Sequence, residues 1–198
     1  MENETSLSHK ESLQLIEEMI YKAKNSYHES GAGALLWGSV IMFCSAVSYA
    51  NTWWNIKWLN QVWWLTLVAV VPQIVISIRQ GKTQKFKSHT DDAMSGIWIS
   101  FGIAIFLLSF FTGTLKIGAA TPTFFLLLYG IPTFATGYTF RFKAMIIGGI
   151  VCWICAVVSI YVPFRTDMAL YFAAAFFAWF LPGLMLRNNY LKQKHGNV

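Results

Sequence analysis

The sequence predicts an all-α fold: a polytopic membrane bundle of six transmembrane helices, arranged as three helical hairpins and preceded by a cytoplasmic amphipathic helix. Three observations lead there. Of the 198 residues, 56% are hydrophobic and only 12% charged, about half the charged share of an ordinary soluble domain. Six apolar stretches, at roughly 34–50, 62–78, 94–111, 121–140, 144–161 and 168–186, approach the length of about 20 residues that a spanning helix needs. They do not alternate in polarity as the strands of a membrane barrel do. Finally, Lys and Arg divide 12 to 3 between the two sides of this arrangement. The richer side, from Lys10 to Lys194, is the cytoplasmic one by the positive-inside rule, which puts both termini in the cytoplasm.

Residues 1–30 read as a cytoplasmic segment, 31–187 as the transmembrane domain and 188–198 as a cytoplasmic tail. The first 30 residues carry six glutamates, which argues against a cleavable signal peptide. Within them, 8–28 has helical periodicity: Ser8 and Glu11 have capping-box spacing, and Leu13, Ile16, Ile20, Ala23 and Tyr27 recur on one face. Glu18 and Lys22 stand at a stabilising interval. Such a helix lies on the membrane surface or docks a membrane or cytoplasmic protein partner.

The connection after the first span holds Trp53, Trp54, Trp58, Trp63 and Trp64. Indoles prefer the membrane boundary, where the ring is apolar and the N–H is wet. An aromatic anchor is the simplest reading, and a quaternary-amine cage is the alternative. The loop after the second span is basic, with Lys82, Lys85 and Lys87. Thr90 followed by Asp91 and Asp92 then opens a helix as a cap followed by first-turn acids. The basic residues thus gather at helix ends as topology determinants, which disfavours nucleic-acid binding; the partners expected are the lipid bilayer and other proteins.

On the third span, Gly96, Ser100 and Ala104 form a row of small side chains at four-residue spacing, predicting close contact with another helix, by default one of the same chain. The even-numbered spans contain Pro72, Pro132 and Pro182, each removing a backbone donor and freeing the carbonyl four residues earlier. Gly38, Gly102 and Gly149 precede them by 34, 30 and 33 residues, the basis of the hairpin repeat. Interrupted helices expose backbone groups to substrates in transporters. Pro72, Gln73, Pro132, Thr133, Thr136 and Pro182 therefore form a candidate ligand path, against the plainer reading of kinks satisfied by their neighbours.

Catalytic chemistry is not legible. No ionisable residue lies near the centre of a span, which disfavours an intramembrane proton relay. His9, His28, His89 and His195 fall in cytoplasmic segments with no ligand spacing, so no metal or other cofactor is expected. Cys44, Cys152 and Cys155 lie in apolar stretches where thiols act as small packing groups; the CxxC spacing of Cys152 and Cys155 lacks its soluble redox context.

Within 11–49, the passages Leu15-Ile16-Glu17-Glu18-Met19-Ile20, Lys22-Ala23-Lys24-Asn25, His28-Glu29 and Leu36-Trp37-Gly38 resemble an uncharacterised six-helix, Bacteroidetes-type family of bacterial inner-membrane proteins. The resemblance implies a multi-span fold and carries over no activity and no functional residues. Mitochondrial carriers are excluded, because they place a proline–acid–base signature on odd helices. In size and helix count the chain is similar to the substrate-binding components of vitamin importers. The expectation is a non-enzymatic accessory or scaffold subunit of a membrane complex; the alternative is a transporter or binding component for a small neutral or lipophilic molecule.

Single cysteines at Asn60 and Gln80 in a cysteine-free background test the orientation. Membrane-impermeant reagent is expected to label the first and not the second in intact cells, and the reverse pattern would invert the topology.

Overall fold

The computed structural model describes residues 30–83, 89–115 and 121–196. These are helical, with no strand among the described residues. The order is α1 (Ala32–Trp54), a 3₁₀ segment (Lys57–Trp64), α2 (Leu65–Thr83), α3 (His89–Leu115), α4 (Thr121–Thr139), α5 (Lys143–Ser159), α6 (Phe164–Ala175), a π-helical turn (Phe176–Phe180) and α7 (Leu181–Gly196). The amphipathic helix expected at 8–28 lies outside the described residues.

Four of the helical stretches are long and apolar enough to cross a membrane: Ala32–Trp54, Lys57–Lys82, His89–Leu115 and Phe164–Lys192. The stretches expected around α4 and α5 are helical too. However, α5 has only 17 residues, about 26 Å of helix at 1.5 Å per residue against a hydrocarbon core of about 30 Å. Threonine, tyrosine and glycine lower the hydropathy of α4.

Helix ends have local causes. α1 stops at Asn55, which adopts a left-handed conformation at φ 48°, a role asparagine fills better than other non-glycine residues. The buried Asn51 side chain then receives the Ile56 N–H at 2.8 Å and donates to Asn60 Oδ1 at 2.7 Å. These bonds turn the chain into the 3₁₀ segment. Pro72 and Pro132 lie within continuous helices. Pro182 has a different effect: just before it, the Leu181 N–H bonds the Phe176 carbonyl, five residues back, so the helix widens to π geometry ahead of the missing donor.

That widened turn is wedged between two glycines. A β-carbon on Gly38 of α1 would lie 2.8 Å from the Phe180 nitrogen, and one on Gly148 of α5 would lie 2.5 Å from the Phe177 carbonyl oxygen. The closest helix pair is α4 with α5, joined through Phe140–Phe142, while α1 packs along α6. Gly149 faces the Phe134 backbone and Gly137 faces that of Ile146. The proline and glycine positions that suggested a repeat have unlike surroundings: Pro132 and Pro182 are buried but Pro72 is exposed. An added β-carbon at Gly102 meets nothing within 4 Å.

The core is aromatic. Tyr129 of α4 stands at its centre, with ring centroids 4.8 Å from Trp179, 6.1 Å from Phe101 and 6.1 Å from Tyr171. Most of these pairs meet edge to face, the arrangement the ring quadrupoles favour. Helices α2 and α3 are peripheral: no residue of α3 is buried, and among the described elements its backbone approaches only α4.

The close approaches set the first structural test. Gly148→Ala is expected to destabilise the detergent-solubilised protein by about 1–3 kcal/mol through overpacking, whereas Gly102→Ala should leave thermal melting unchanged.

Candidate functional site

Two of the buried polar side chains, Thr133 and Thr136, share one face of α4. Helical spacing brings Thr123, Leu126, Tyr129, Thr133 and Thr136 onto that face, and α5, α6 and the π turn cover it. Deep in an apolar bundle no water completes hydrogen bonds, so each hydroxyl and indole N–H must find a protein partner. The Thr133 hydroxyl donates to the Tyr129 carbonyl at 2.8 Å and receives the Trp179 N–H at 2.9 Å. In the same way the Thr136 hydroxyl donates to the Pro132 carbonyl at 2.7 Å and receives the Trp98 N–H at 3.1 Å. Each threonine thus ties a neighbouring helix to α4 while back-bonding its own.

This arrangement bears directly on the residues expected to form a ligand path. Pro132, Thr133 and Thr136 come together, but both threonine hydroxyls are committed to indoles and carbonyls. Pro72 and Gln73 lie apart, on α2, which makes no contact with α4. Gln73 faces Gly33 of α1. Its amide nitrogen donates to Ser77 at 3.3 Å, and its oxygen, buried, has no hydrogen-bond partner among the described residues. Pro182 is buried on α7, which packs against α1 and α5.

The row of Gly96, Ser100 and Ala104 does not lie in a closed contact within the chain. Gly96 and Ser100 are exposed, and a β-carbon on Gly96 would meet nothing within 4 Å. The row instead forms one wall of an open groove of about 470 Å³, whose other wall is Leu128, Ile131 and Pro132 of α4. Below the groove Phe101 reaches the Trp179 ring, 6.4 Å between centroids. The groove is lined mainly by apolar groups, so it suits an apolar helix face or hydrocarbon chain.

At the end where α4 begins and α5 finishes lies a second polar cluster that the sequence reading passed over. Asp167 is 3% exposed and Ser159 is 4% exposed. The Ser159 hydroxyl lies 2.6 Å from the Thr123 hydroxyl, and the Asp167 carboxylate is its neighbour. Beneath them Tyr171 donates to the Pro122 carbonyl at 3.1 Å. Asp167 Oδ1 is buried with no hydrogen-bond partner among the described residues. The available signal was its isolation, since no other acidic residue follows Asp92; a first-turn acid beside an expected loop nonetheless reads as solvated.

The tryptophan-rich connection divides by role. Trp63 turns inward, donating to Ser48 at 3.1 Å and meeting the Tyr171 ring at 5.8 Å. Trp53 carries the Arg165 guanidinium on its face at 3.6 Å, with Tyr49 alongside at 5.4 Å. The cation held by these rings is therefore the chain's own. Trp54, Trp58 and Trp64 are exposed, as boundary indoles are. The three cysteines are buried and free.

Comparison with protein-family models, curated proteins and solved structures finds no match to this chain.

The threonine–indole links yield a test. Thr133→Val leaves the Trp179 N–H without an acceptor and is expected to cost about 1–2 kcal/mol of stability. Thr133→Ser, which keeps the hydroxyl, should cost less. Equal melting temperatures for the two variants would remove the hydrogen bond from the account of the core.

Proposed function

We propose that this protein is an accessory or scaffold subunit of a complex in the bacterial inner membrane, with six spans and both termini cytoplasmic. The observation that carries the reading is the condition of α3. It is an apolar helix of 27 residues with none buried, and its row of small residues faces an open groove. Between lipid-immersed helices apolar burial supplies little net attraction, so association depends on close packing, which small side chains permit. A partner helix against Gly96, Ser100 and Ala104 would make the close contact that this row does not make with the other described residues.

The interior supports the same reading. Thr133 and Thr136, the polar groups nearest the buried Pro132, are used in holding helices together and have no O–H donor left for a substrate. The N-terminal segment adds a cytoplasmic docking helix in this proposal. The threefold hairpin repeat forms no part of it, because the tightest helix pair, α4 with α5, crosses the boundary between two of those hairpins.

One observation favours the second reading, a binding component for a small lipophilic molecule. The groove beside Pro132, at about 470 Å³, falls in the size range of small-molecule sites.

Native mass spectrometry of gently extracted protein separates the two. A stoichiometric protein partner is expected, and Ser100→Leu should abolish it while leaving the melting temperature of the isolated chain unchanged, since Ser100 is exposed. A reproducible small-molecule adduct with no protein partner would select the binding component and reject the subunit.

A further inference from the structure

The ends of three helices meet around Asp167: the start of α4 brings Thr123, the end of α5 brings Ser159, and the first turn of α6 brings the carboxylate itself. We propose that Asp167, Ser159 and Thr123 form a binding site for a monovalent alkali-metal cation, which fastens these three helix ends together.

The proposal begins from an unsatisfied group. A buried carboxylate needs partners on both oxygens, because its charge is costly away from water. The Thr123 and Ser159 hydroxyls lie 2.6 Å apart, and Ser159 neighbours the carboxylate. Each hydroxyl has one proton, so with Thr123 donating to Ser159 the pair can offer the ionised carboxylate at most one hydrogen bond, and Oδ1 is buried without a partner among the described residues.

Among the described residues, the nearby cations and dipoles do not fill the gap. Arg165, two residues away, directs its guanidinium onto Trp53 at 3.6 Å. The first-turn backbone donors do not serve either, since the N–H groups of Thr166 and Asp167 both bond the Pro163 carbonyl, at 2.8 and 3.2 Å. The Tyr171 hydroxyl, a titratable group packed beneath the cluster, is directed to the Pro122 carbonyl. A helix N-terminus favours an acid nearby, which explains the choice of residue but not the orphan oxygen.

The donor set defines the ligand class. It consists of oxygen alone, one carboxylate and two hydroxyls with lone pairs to spare, and hard oxygen donors suit hard cations. A single carboxylate balances a single positive charge, whereas calcium sites gather several carboxylates and six to eight oxygens. Thr123 is only partly buried, so its side of the cluster gives a cation access from the end of the bundle that the basic-residue distribution assigns to the outside.

The test is thermal melting of the purified full chain in detergent, titrated with the chlorides of sodium, potassium or N-methyl-D-glucamine at constant ionic strength. A ligand bound only by the folded state raises the midpoint steadily with its concentration. The midpoint is expected to rise by several degrees with sodium or potassium and not with the organic cation. Asp167→Asn, which keeps the shape and removes the charge, should abolish the rise. Thr123→Val should displace the titration to about tenfold higher concentration, the equivalent of losing about 1.4 kcal/mol of binding.

Identical wild-type midpoints in all three salts would overturn the site, as would an equal response in wild type and Asp167→Asn, which locates the cation elsewhere. A wild-type midpoint that moves with pH and not with alkali cation would also overturn it, leaving a proton on Asp167. Should Asp167→Asn fail to fold, the wild-type salt comparison and Thr123→Val still decide the matter.

Discussion

The hydrogen bond from the Trp179 indole to the Thr133 hydroxyl, 2.9 Å long and buried, joins the two features on which the bundle is built. Trp179 belongs to the π turn ahead of Pro182, and Thr133 follows directly on Pro132, so the bond connects the two buried prolines. Tyr129, one turn from Thr133, lies against the Trp179 ring at 4.8 Å, and from there the aromatic contacts extend to Phe101, Tyr171 and Trp63. The requirement behind this is general: inside an apolar bundle an unpaired N–H is too costly to leave, so a core rich in indole and phenol rings must contain acceptors at fixed places. Threonine on a helix is well suited, because the hydroxyl that accepts an indole can donate its own proton to the carbonyl four residues back.

The π turn also explains why certain glycines matter and others do not. Widening the helix moves its backbone outward, and Gly38 and Gly148 occupy the places where that backbone approaches α1 and α5. Neither position has room for a β-carbon. Pro182 thus acts at a distance: its missing donor goes with the widened turn, the turn requires two bare helix surfaces, and those surfaces bring α1 and α5 to either side of Trp179. Gly102, 30 residues before its own proline in the sequence, borders no such turn and faces open space.

Element positions were legible in the sequence because bilayer thickness imposes a length on apolar stretches, and all six expected stretches fall on helices. Their packing was less legible. Spacing showed that Gly96, Ser100 and Ala104 share a face, but what lies opposite that face depends on how α3 is placed against α4, which no local pattern encodes. The prolines showed where donors are missing. They did not reveal that Pro182 would be met by a π turn, or that Thr133 and Thr136 would be taken up by indoles from other helices. Asp167 escaped notice for a related reason: linear reading assigns an acid beside a short connection to water, whereas burial here comes from Ser159 and Thr123, 8 and 44 residues earlier in the chain.

The molecule consequently has two unlike parts. Around α4 and α5 the helices are held by close glycine contacts and by hydrogen bonds that leave few options for rearrangement. α3 is held by fewer ties, chiefly the Trp98–Thr136 bond and the Phe101 ring in the aromatic cluster, and α2 rests on α1 and the 3₁₀ segment. These two ties lie to one side of the axis of α3, while its small-residue row faces the groove. A helix fixed along one edge and smooth along the next is well prepared to receive another helix without disturbing the core, because the added contact need not break any hydrogen bond already made. That separation of a locked interior from an uncommitted flank is the physical basis for reading this chain as a component that supports others.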